Sequence, residues 1–397
     1  MRVWIENPFD NLPFEGFRPQ RYFLMAEAFA ALGCETVLWT ADFNHTTKSV
    51  RAMRPSADFP ENPGIRLVHE RPYLGNVSFG RMASHWGYAR NWLREATREV
   101  RSGGAPDLIV VSSPPLSTGG AARRLAKMSG AALVVDVMDA WPETFERVAP
   151  RFLLSPLRAM AKRNYLAADA ITAVADSYLD LAAAYGYRGP AKRFYHGIPL
   201  PSAPEPASIR SQGGAVRLVY IGNLGRTYDI STALAAVAAN ERFTLDVAGK
   251  GEGEKEVRNF AAMESLGGRI RYHGYLGEVE LSRLLAECDI GIVPMEKESF
   301  VGIPYKLADY ARASVAVVSS LGGESESLLS RYGAGAAYEA LSPESFAAAV
   351  DALAARLPEA KAAAFEMARR EFDSERIYRD YAAFALAVAS EKKGGDR

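Results

Sequence analysis

Two series of short apolar runs, each separated by segments of helical length, constrain the fold of this 397-residue chain more than any other feature. The first series runs from RVWIE near the amino terminus to DAITAV, and the second runs from VRLVYIG to VAVVS. Strands that alternate with helices form parallel sheets with helices on both faces. We therefore expect an α/β protein with two doubly wound parallel sheets.

One stretch dense in Pro, Ser and Gly separates the two series, and this composition is typical of a linker. We place the linker at residues 198–214, between Rossmann-like domains at residues 1–197 and 215–373. Ligands of doubly wound sheets bind outside the carboxyl ends of the strands. The sequence therefore predicts two domains that face each other across a ligand-binding cleft.

Composition excludes several classes of function. Hydrophobic residues make up 48% of the chain, charged residues make up 24%, and the net charge is zero, so no nucleic-acid partner is indicated. Two cysteines, Cys34 and Cys288, form neither a disulfide framework nor a cysteine zinc site, which favours a cytoplasmic location. No apolar run approaches the roughly 18 residues of a membrane span. No pair of histidines has metal-ligand spacing, so we expect no metal.

The stretch from Met295 to Ser319 carries the clearest functional pattern. The strand DIGIVP leads into a glycine loop, a helix that begins near Pro304, and the strand VAVVS. Lys306 and Asp309 lie three residues apart and so share one helix face. Amides at a helix start favour phosphate, and an acid in the first turns suits ribose hydroxyl groups. The pattern predicts a nucleotide-sugar site, with further candidates at Glu296 or Glu298, Phe300, Val301, Gly302, Ile303 and Leu307.

Two other glycine loops follow strands of the second series. GNLGRTYD contains Gly222, Asn223 and Arg226, and the guanidinium of Arg226 offers a fork to phosphate oxygens, unless it is simply an exposed arginine. GKGEG contains Gly249 and Lys250 but lacks the Lys-Ser/Thr ending of a P-loop, so a plain strand-to-helix turn explains it equally well. The turn YHGYL adds Tyr275 to the donor-side candidates.

In the first domain, DVMDAWPE places acids at the end of a strand. Asp136, Asp139 and Glu143 are candidates to bind a hydroxyl group or to abstract its proton. Trp141 is a candidate to stack on a sugar face. The alternative is a capped helix start, with Asp139 as N-cap and Pro142 in the first turn.

Two more features of the first domain have both a functional and a structural interpretation. In EGFR, Gly16 would admit a phosphate closely, while Glu15 and Arg18, together with His45, are candidates to bind an acceptor. An ordinary loop is the alternative for EGFR, and a structural role is the alternative for His45. The basic amphipathic segment at residues 151–166 suits either an anionic membrane or a helix that packs on the domain core.

Over nearly its whole length the chain resembles glycosyltransferase family 4, whose enzymes have the GT-B architecture. The resemblance rests on YIGNLG, VAGKGEG, YHGYL and above all IPYKLADYARASVAVVS. It implies that Asp309 holds the nucleotide ribose, that the donor lies mainly on the second domain, and that the acceptor lies on the first. It also implies that the final helix, at residues 374–397, packs on the first domain. VVDVMDAWPE and WTADFNH resemble segments of bacterial members that build exopolysaccharide or O-antigen.

The chain departs from the family pattern at several positions. Many members have two glutamates with seven residues between them. Here Asp309 stands at the second position and Val301 at the first. Asn223 stands at the usual arginine position, and Met138 stands where a histidine often follows the fifth strand. Arg226 and Lys306 are the available cations for the donor phosphates.

The resemblance implies a metal-independent transferase that moves a hexosyl group with retention of anomeric configuration. The co-substrate would be a UDP-, GDP- or dTDP-sugar, with no other cofactor, and the acceptor a lipid-linked saccharide at the inner face of the cytoplasmic membrane. Arg226 and Lys306 would neutralise the departing diphosphate, and Asp139 or Glu143 would orient the acceptor hydroxyl. The alternatives are a nucleotide-sugar epimerase of the same architecture and a noncatalytic partner protein. A nicotinamide-linked dehydrogenase would need a Gly-x-Gly-x-x-Gly turn that neither series has.

Overall fold

The structure is a computed structural model that describes residues 1–12, 15–51, 62–75, 78–147, 149–202, 214–225, 227–295 and 299–395. The chain divides into two compact units. Unit 1 contains Met1–Gly197 and Ser374–Arg397, and unit 2 contains Ile198–Asp373. Residues 203–213, most of the predicted linker, lie outside the described residues.

Both units are built from alternating strands and helices. The strands are β1 (Arg2–Glu6), β2 (Glu35–Ala41), β3 (Phe43–Asn44), β4 (Ser49–Val50), β5 (Gly64–Val68), β6 (Leu108–Ser113), β7 (Ala132–Val137), β8 (Ala170–Ala173), β9 (Ala191–Arg193), β10 (Val216–Ile221), β11 (Phe243–Ala248), β12 (Ile270–Gly274), β13 (Ile290–Val293), β14 (Ala316–Ser319) and β15 (Gly335–Ala337). The helices are α1 (Arg21–Ala31), α2 (Phe79–Arg101), α3 (Leu116–Ser129), α4 (Ser155–Leu166), α5 (Asp176–Ala184), α6 (Ile230–Ala239), α7 (Glu254–Ala261), α8 (Glu278–Ala286), α9 (Tyr305–Arg312), α10 (Glu324–Tyr332), α11 (Pro343–Ala354), α12 (Leu357–Met367) and α13 (Ser374–Gly395). Short 3-10 turns lie at Glu143–Arg147, Arg151–Leu154 and Glu264–Leu266, and a π turn lies at Ala368–Phe372.

Unit 1 contains a seven-stranded parallel sheet in the order β5-β2-β1-β6-β7-β8-β9. The central strands β6 and β7 are buried along their whole length, which explains why both are continuous apolar runs closed by small polar residues. Helices α2, α3 and α4 pack together on one face, while α1 and α13 pack together on the other. The sheet order reverses between β1 and β6, so the carboxyl ends of these strands mark the expected ligand crevice of unit 1.

Unit 2 contains a six-stranded parallel sheet in the order β12-β11-β10-β13-β14-β15. Its core joins residues of the sheet to residues of α6, α7 and α11, among them Tyr220, Val237 and Phe346. The order reverses between β10 and β13, which is the corresponding ligand crevice of this unit. The predicted α/β class with two parallel sheets is thus confirmed.

Helix α2 begins at Phe79, where Ser78 caps it by accepting a hydrogen bond from the Arg81 amide (3.1 Å). No helix in the described part of the chain is long and apolar enough to span a bilayer. One candidate residue differs from the expectation. Asp136, predicted as a candidate acid of the site, is instead fully buried in the core of unit 1. Its carboxylate accepts two hydrogen bonds from Arg21 (2.8 and 2.9 Å), so it holds α1 against the sheet.

Candidate functional site

Three loops meet at the carboxyl ends of the strands of unit 2. They are residues 222–225 after β10, 249–253 after β11, and 299–304 before α9. The first two are joined by backbone hydrogen bonds, from Leu224 N to Lys250 O (2.9 Å) and from Gly253 N to Leu224 O (2.9 Å). These bonds fix the two glycine loops as one rigid edge of the crevice.

The glycines of GKGEG are required by this loop packing. A Cβ atom on Gly249 would lie 1.8 Å from the carbonyl oxygen of Gly222, and a Cβ atom on Gly251 would lie 2.6 Å from that of Leu224. No side chain fits at either position. The plain-turn interpretation therefore accounts for both glycines, while Lys250 and Tyr275 remain exposed candidates.

A buried hydroxyl holds the crevice between β10 and β13 open. These two strands pair only at Leu218–Ile290 and Val219–Gly291. Beyond that point the Tyr310 hydroxyl lies between the strands, where it accepts a hydrogen bond from Ile221 N (3.1 Å) and lies within hydrogen-bond distance of the carbonyl oxygens of Val219 (3.2 Å) and Ile292 (3.1 Å). Tyr310 belongs to α9, so the same contacts position the helix that carries Lys306 and Asp309.

Lys306 is the most unusual group of unit 2. Its side chain is only 6% exposed, and its amine has no hydrogen-bond partner among the described residues. The amine lies 4.0 and 3.9 Å from the ring centroids of Tyr220 and Tyr228, and a Cβ atom on Gly222 would lie 3.8 Å from it. Burial lowers the pKa of the Lys306 amine well below its usual value. A buried lysine of this kind is a candidate to bind an anion.

The remaining donor-side candidates differ in accessibility. Gly222, Asn223 and Phe300 are exposed, while Val301 and Asp309 are half-buried. The Gly302 carbonyl accepts a hydrogen bond from Ser325 Oγ (2.7 Å), which fixes the loop before α9. Gly302 is buried, and so are Ile303, Pro304 and Leu307, whose side chains pack within the loop and helix. Arg226, Glu296 and Glu298 lie outside the described residues.

In unit 1, the carboxylate of Asp139 is hydrogen-bonded to groups of its own turn. Its carboxylate accepts hydrogen bonds from Ala140 N (2.8 Å), Trp141 Nε1 (3.1 Å) and Thr144 Oγ1 (3.3 Å), and burial raises its pKa. These contacts correspond to the capped-turn alternative, although a 3-10 turn follows instead of an α-helix. Asp139 thereby fixes the indole of Trp141.

The carboxylates of Glu143 and Glu15 are also held by neighbouring groups. Glu143 accepts a hydrogen bond from the Tyr185 hydroxyl (2.5 Å), and it lies 3.4 Å from Arg158. Glu15 accepts hydrogen bonds from Leu12 N (3.0 Å), Asn44 Nδ2 (3.3 Å) and Arg51 Nη1 (3.0 Å). Glu15 therefore stabilises the loop after β1, in which Gly16 has a positive φ of 78° and Arg18 is half-buried.

An aromatic cluster surrounds the Arg81 guanidinium at the same edge of unit 1. The guanidinium lies 5.4 to 6.0 Å from the ring centroids of Phe9, Tyr73 and Trp141. Two histidines complete the aromatic cluster, which we define as Phe9, His45, Tyr73, His85 and Trp141. Aromatic faces stack on sugar rings, so this cluster is the strongest candidate for saccharide binding in the described part of unit 1.

Both imidazoles of the aromatic cluster are neutral near pH 7. Burial lowers the pKa of His45 and of His85 to about 3, and the charges of Lys48 and Arg81 act in the same direction. His45 Nδ1 lies 2.5 Å from the Tyr73 hydroxyl, and His85 Nε2 accepts a hydrogen bond from Arg81 Nε (3.3 Å). The predicted candidate His45 is therefore a structured member of the cluster.

Sequence reasoning found His45 and Trp141 but missed Phe9, Tyr73, Arg81 and His85. A sequence pattern that could have identified them is their position. Each cluster residue follows the carboxyl end of a strand, either in the next loop or in the first turns of the next helix. Parallel strands bring such positions to one edge of the sheet. Over the residues with described structure, no group of three or more His, Cys, Asp or Glu side chains is arranged to hold a metal ion.

The sequence matches two family profiles. The profile described as a glycosyl transferase 4-like domain covers residues 20–195, and the profile described as glycosyl transferases group 1 covers residues 215–356. These ranges fall within units 1 and 2, respectively. No curated protein matches the chain significantly.

Solved structures share the fold at low sequence identity. Sucrose-phosphate synthase from Thermosynechococcus elongatus is 13% identical with a TM-score of 0.78, covering 98% of this chain and 100% of that one. Anabaena HepE in complex with UDP is 14% identical with a TM-score of 0.68 and the same coverage. WaaG, a glycosyltransferase involved in lipopolysaccharide biosynthesis, is 17% identical with a TM-score of 0.59, covering 97% and 99%.

Proposed function

Since the chain belongs to the glycosyltransferases of the GT-B type, we propose that it transfers a hexosyl group from a nucleotide sugar to a hydroxyl of a lipid-linked saccharide. The observation that carries the proposal is the Lys306 amine, buried beside the backbone of Gly222 at the crevice of unit 2. An amine that is desolvated without a hydrogen-bond acceptor gains most from an anionic ligand. HepE has been solved with UDP and with UDP-glucose, which supports a nucleotide-sugar donor here.

Donor binding is assigned to α9 and the loop before it. Asp309 would accept hydrogen bonds from the ribose hydroxyls, since a carboxylate accepts two of them at once. Amides of residues 300–303 would hold the sugar and the β-phosphate near the start of the helix. The ring faces of Tyr220 and Tyr228 would keep Lys306 in place for the phosphate.

Chemistry at the donor depends on stabilising the leaving diphosphate. Lys306 would carry a proton when the diphosphate is bound, because a nearby negative charge favours the charged amine. Its charge, with that of Arg226, would then stabilise the diphosphate as the glycosidic bond breaks. We propose that the incoming hydroxyl attacks the face of the sugar from which the diphosphate leaves and passes its proton to a leaving phosphate oxygen, so that the anomeric configuration is retained without a protein nucleophile and without a metal ion.

The acceptor is assigned to the aromatic cluster of unit 1. Phe9 and His45, the half-buried aromatic residues of the cluster, would contact a sugar ring, and the half-buried Arg81 would donate hydrogen bonds to its hydroxyl groups. Tyr73, His85 and Trp141 are buried and would support these groups. Asp139 serves this assignment by orienting Trp141. We propose that the product belongs to a cell-surface polysaccharide built at the inner face of the cytoplasmic membrane.

Asp309→Ala tests the donor assignment. Loss of hydrogen bonds to a charged group costs about 1.5–3 kcal/mol, so we expect the Kd for the preferred UDP-, GDP- or dTDP-sugar to rise roughly 10- to 150-fold. Binding is measured by calorimetry and turnover by release of the nucleoside diphosphate. Glu359→Ala, an exposed acid on α12, is the matched control and should leave both unchanged. Donor binding and turnover that survive Asp309→Ala would refute the assignment.

A further inference from the structure

Two cationic side chains lie beside the aromatic cluster of unit 1. The Lys48 amine lies 4.6 Å from the centroid of the Tyr73 ring and 3.3 Å from His45 Nδ1. The Arg81 guanidinium lies 6.0 Å from the centroid of the same tyrosine ring and 5.6 Å from that of Phe9. Lys48, Arg81, Phe9 and His45 are all half-buried, so charged and aromatic groups share one accessible surface. The surface therefore combines faces for a sugar ring with two positive charges.

The ionisation of neighbouring groups indicates a positive potential at this surface. Burial, and after it the charge of Arg81, lowers the pKa of the Lys48 amine to about 8, which leaves the amine mostly charged at neutral pH. Both cations also act with burial to lower the pKa of His45 and of His85. Like charges held close together repel each other, and a bound anion relieves that repulsion.

The neighbouring carboxyl groups are engaged in structural contacts. Glu70 is buried, it accepts a hydrogen bond from Ser84 Oγ (2.8 Å), and burial raises its pKa to about 7. Asp42 accepts a hydrogen bond from the amide of Glu70 (2.8 Å) and lies 2.9 Å from His69 Nδ1. One carboxyl group that is half-protonated near neutral pH thus attracts both Lys48 and Arg81. The surface therefore retains net positive charge for a ligand.

The backbone of Lys48 adopts a conformation that other residue types prefer. Its φ is 57°, in the left-handed region where Gly and Asn are favoured. The turn between β3 and β4 enforces this conformation, because Asn44 Oδ1 accepts hydrogen bonds from Thr46 N (2.8 Å) and Thr47 N (3.0 Å) and Asn44 O accepts one from Lys48 N (2.9 Å). A lysine at this position costs the turn some stability and fixes the amine beside the aromatic cluster.

We propose that the acceptor saccharide carries a negatively charged group, a carboxylate or a phosphate, which Lys48 and Arg81 bind while Phe9 and His45 contact the sugar ring. A guanidinium binds either anion with two parallel hydrogen bonds, and an ammonium group donates up to three. A neutral sugar leaves the repulsion between the two cations in place, so the same groups also select against it. The inference rests on the proposed function, since it names the class of acceptor for the site assigned there.

Binding of model sugars in the absence of a donor tests the inference. Methyl glucoside, methyl glucuronide and methyl glucoside phosphorylated on its primary hydroxyl share one ring and differ only in the group on the exocyclic carbon. Their Kd values for the full chain are measured by ligand-observed NMR titration. We expect at least one anionic sugar to bind roughly five- to tenfold more tightly than the neutral sugar. The anion that binds more tightly identifies the charged group, and equal Kd values for all three sugars overturn the inference.

Two substitutions test the cations themselves. Lys48→Asn suits the positive φ, so we expect an equal or higher melting temperature together with loss of most of the preference for the anionic sugar. Arg81→Gln should bring the Kd values of the anionic and neutral sugars to within about twofold of each other. Arg98→Gln, at an exposed position near the other end of α2, removes the same charge and should keep the full preference. A wild-type preference in Lys48→Asn and Arg81→Gln would contradict the assignment.

Donor hydrolysis by the wild-type chain is measured separately from sugar binding. Hydrolysis of a nucleotide sugar without a preference among the three model sugars overturns the anionic acceptor and leaves the proposed transferase activity in place. A preference for an anionic sugar without hydrolysis of any UDP-, GDP- or dTDP-sugar supports the anionic saccharide site and contradicts the proposed transferase activity.

Discussion

At the residue scale, Lys306 shows how burial changes the meaning of a sequence position. Three residues before Asp309, it looks like one more cation near a phosphate loop, yet it is almost fully buried against two tyrosine rings. Keeping an amine there destabilises the fold, because water no longer solvates the charge. A residue that costs stability at the crevice of unit 2 fits a binding role better than a structural one.

Lys306→Met separates these roles. We expect donor affinity to fall roughly tenfold or more, through loss of a charge-assisted hydrogen bond, while the melting temperature stays equal or rises. Because burial lowers the folded-state pKa of Lys306, unfolding takes up a proton at any pH between that value and about 10.4. The free energy of unfolding of the wild type therefore rises with pH in this window. The difference in stability between Lys306→Met and the wild type becomes smaller toward pH 10. The control is Lys255→Met, which replaces an exposed lysine on α7. If Lys306→Met lowers the melting temperature and leaves donor affinity normal, the binding role is contradicted.

At the element scale, the crevice of unit 2 depends on how α9 is attached to the sheet. Strands β10 and β13 separate after two paired positions, and the Tyr310 hydroxyl replaces the missing ladder bonds. Gly291 leaves room for the ring, since a Cβ atom there would lie 2.5 Å from Tyr310 Cγ. One hydroxyl thus sets the width of the crevice and the position of the helix that carries Asp309.

Tyr310→Phe leaves the buried amide of Ile221 without its partner. We expect a loss of about 1–3 kcal/mol in the free energy of unfolding of unit 2, and a higher Kd for the donor with little change in the chemical step. Urea denaturation and donor titration measure the two effects. Tyr338→Phe is the matched control, because Tyr338 is also a buried tyrosine of unit 2 but lies outside α9, so removal of its hydroxyl should leave the Kd for the donor unchanged. Equal effects of the two substitutions would argue against a positioning role for Tyr310.

At the scale of the whole molecule, unit 1 is built from two segments that are separated in the chain by unit 2. The last helix, α13, belongs to unit 1, where it packs on α1 and places the Tyr381 hydroxyl 3.0 Å from Thr172 Oγ1. Tyr381 is fully buried beside the pair formed by Arg21 and Asp136. Unit 1 is therefore complete only after the entire chain, including unit 2, has been made.

Tyr381→Ala should destabilise unit 1 selectively. Truncation of a large buried aromatic side chain costs about 3–5 kcal/mol, so we expect a lower unfolding midpoint for unit 1, while the donor Kd of unit 2 stays within twofold of the wild-type value. Calorimetric unfolding and donor titration measure the two outcomes. Arg379→Ala, on the exposed side of α13, is the control. Loss of donor binding in Tyr381→Ala would mean that the two units do not fold independently.

Much of the fold was predictable because its determinants are local. The spacing of apolar residues and the composition alone indicate the strands, the helices and the parallel sheets. The stretch around Lys306 and Asp309 is recognisable in the sequence as a strand, a loop and a helix. The correct identification of a GT-B glycosyltransferase likewise rests on motifs that are contiguous in the chain.

Which side chains are buried, and which groups they contact, depends on residues far apart in the chain. Asp136 looked available until the fold placed Arg21 against it, and the aromatic cluster collects Phe9, Tyr73 and Trp141 from loops after three different strands. The sequence by itself thus determined the elements and their order, since hydrophobic period is a local property. The tertiary structure decided which polar groups are buried, paired or exposed at the sheet edges, because that depends on packing between distant segments.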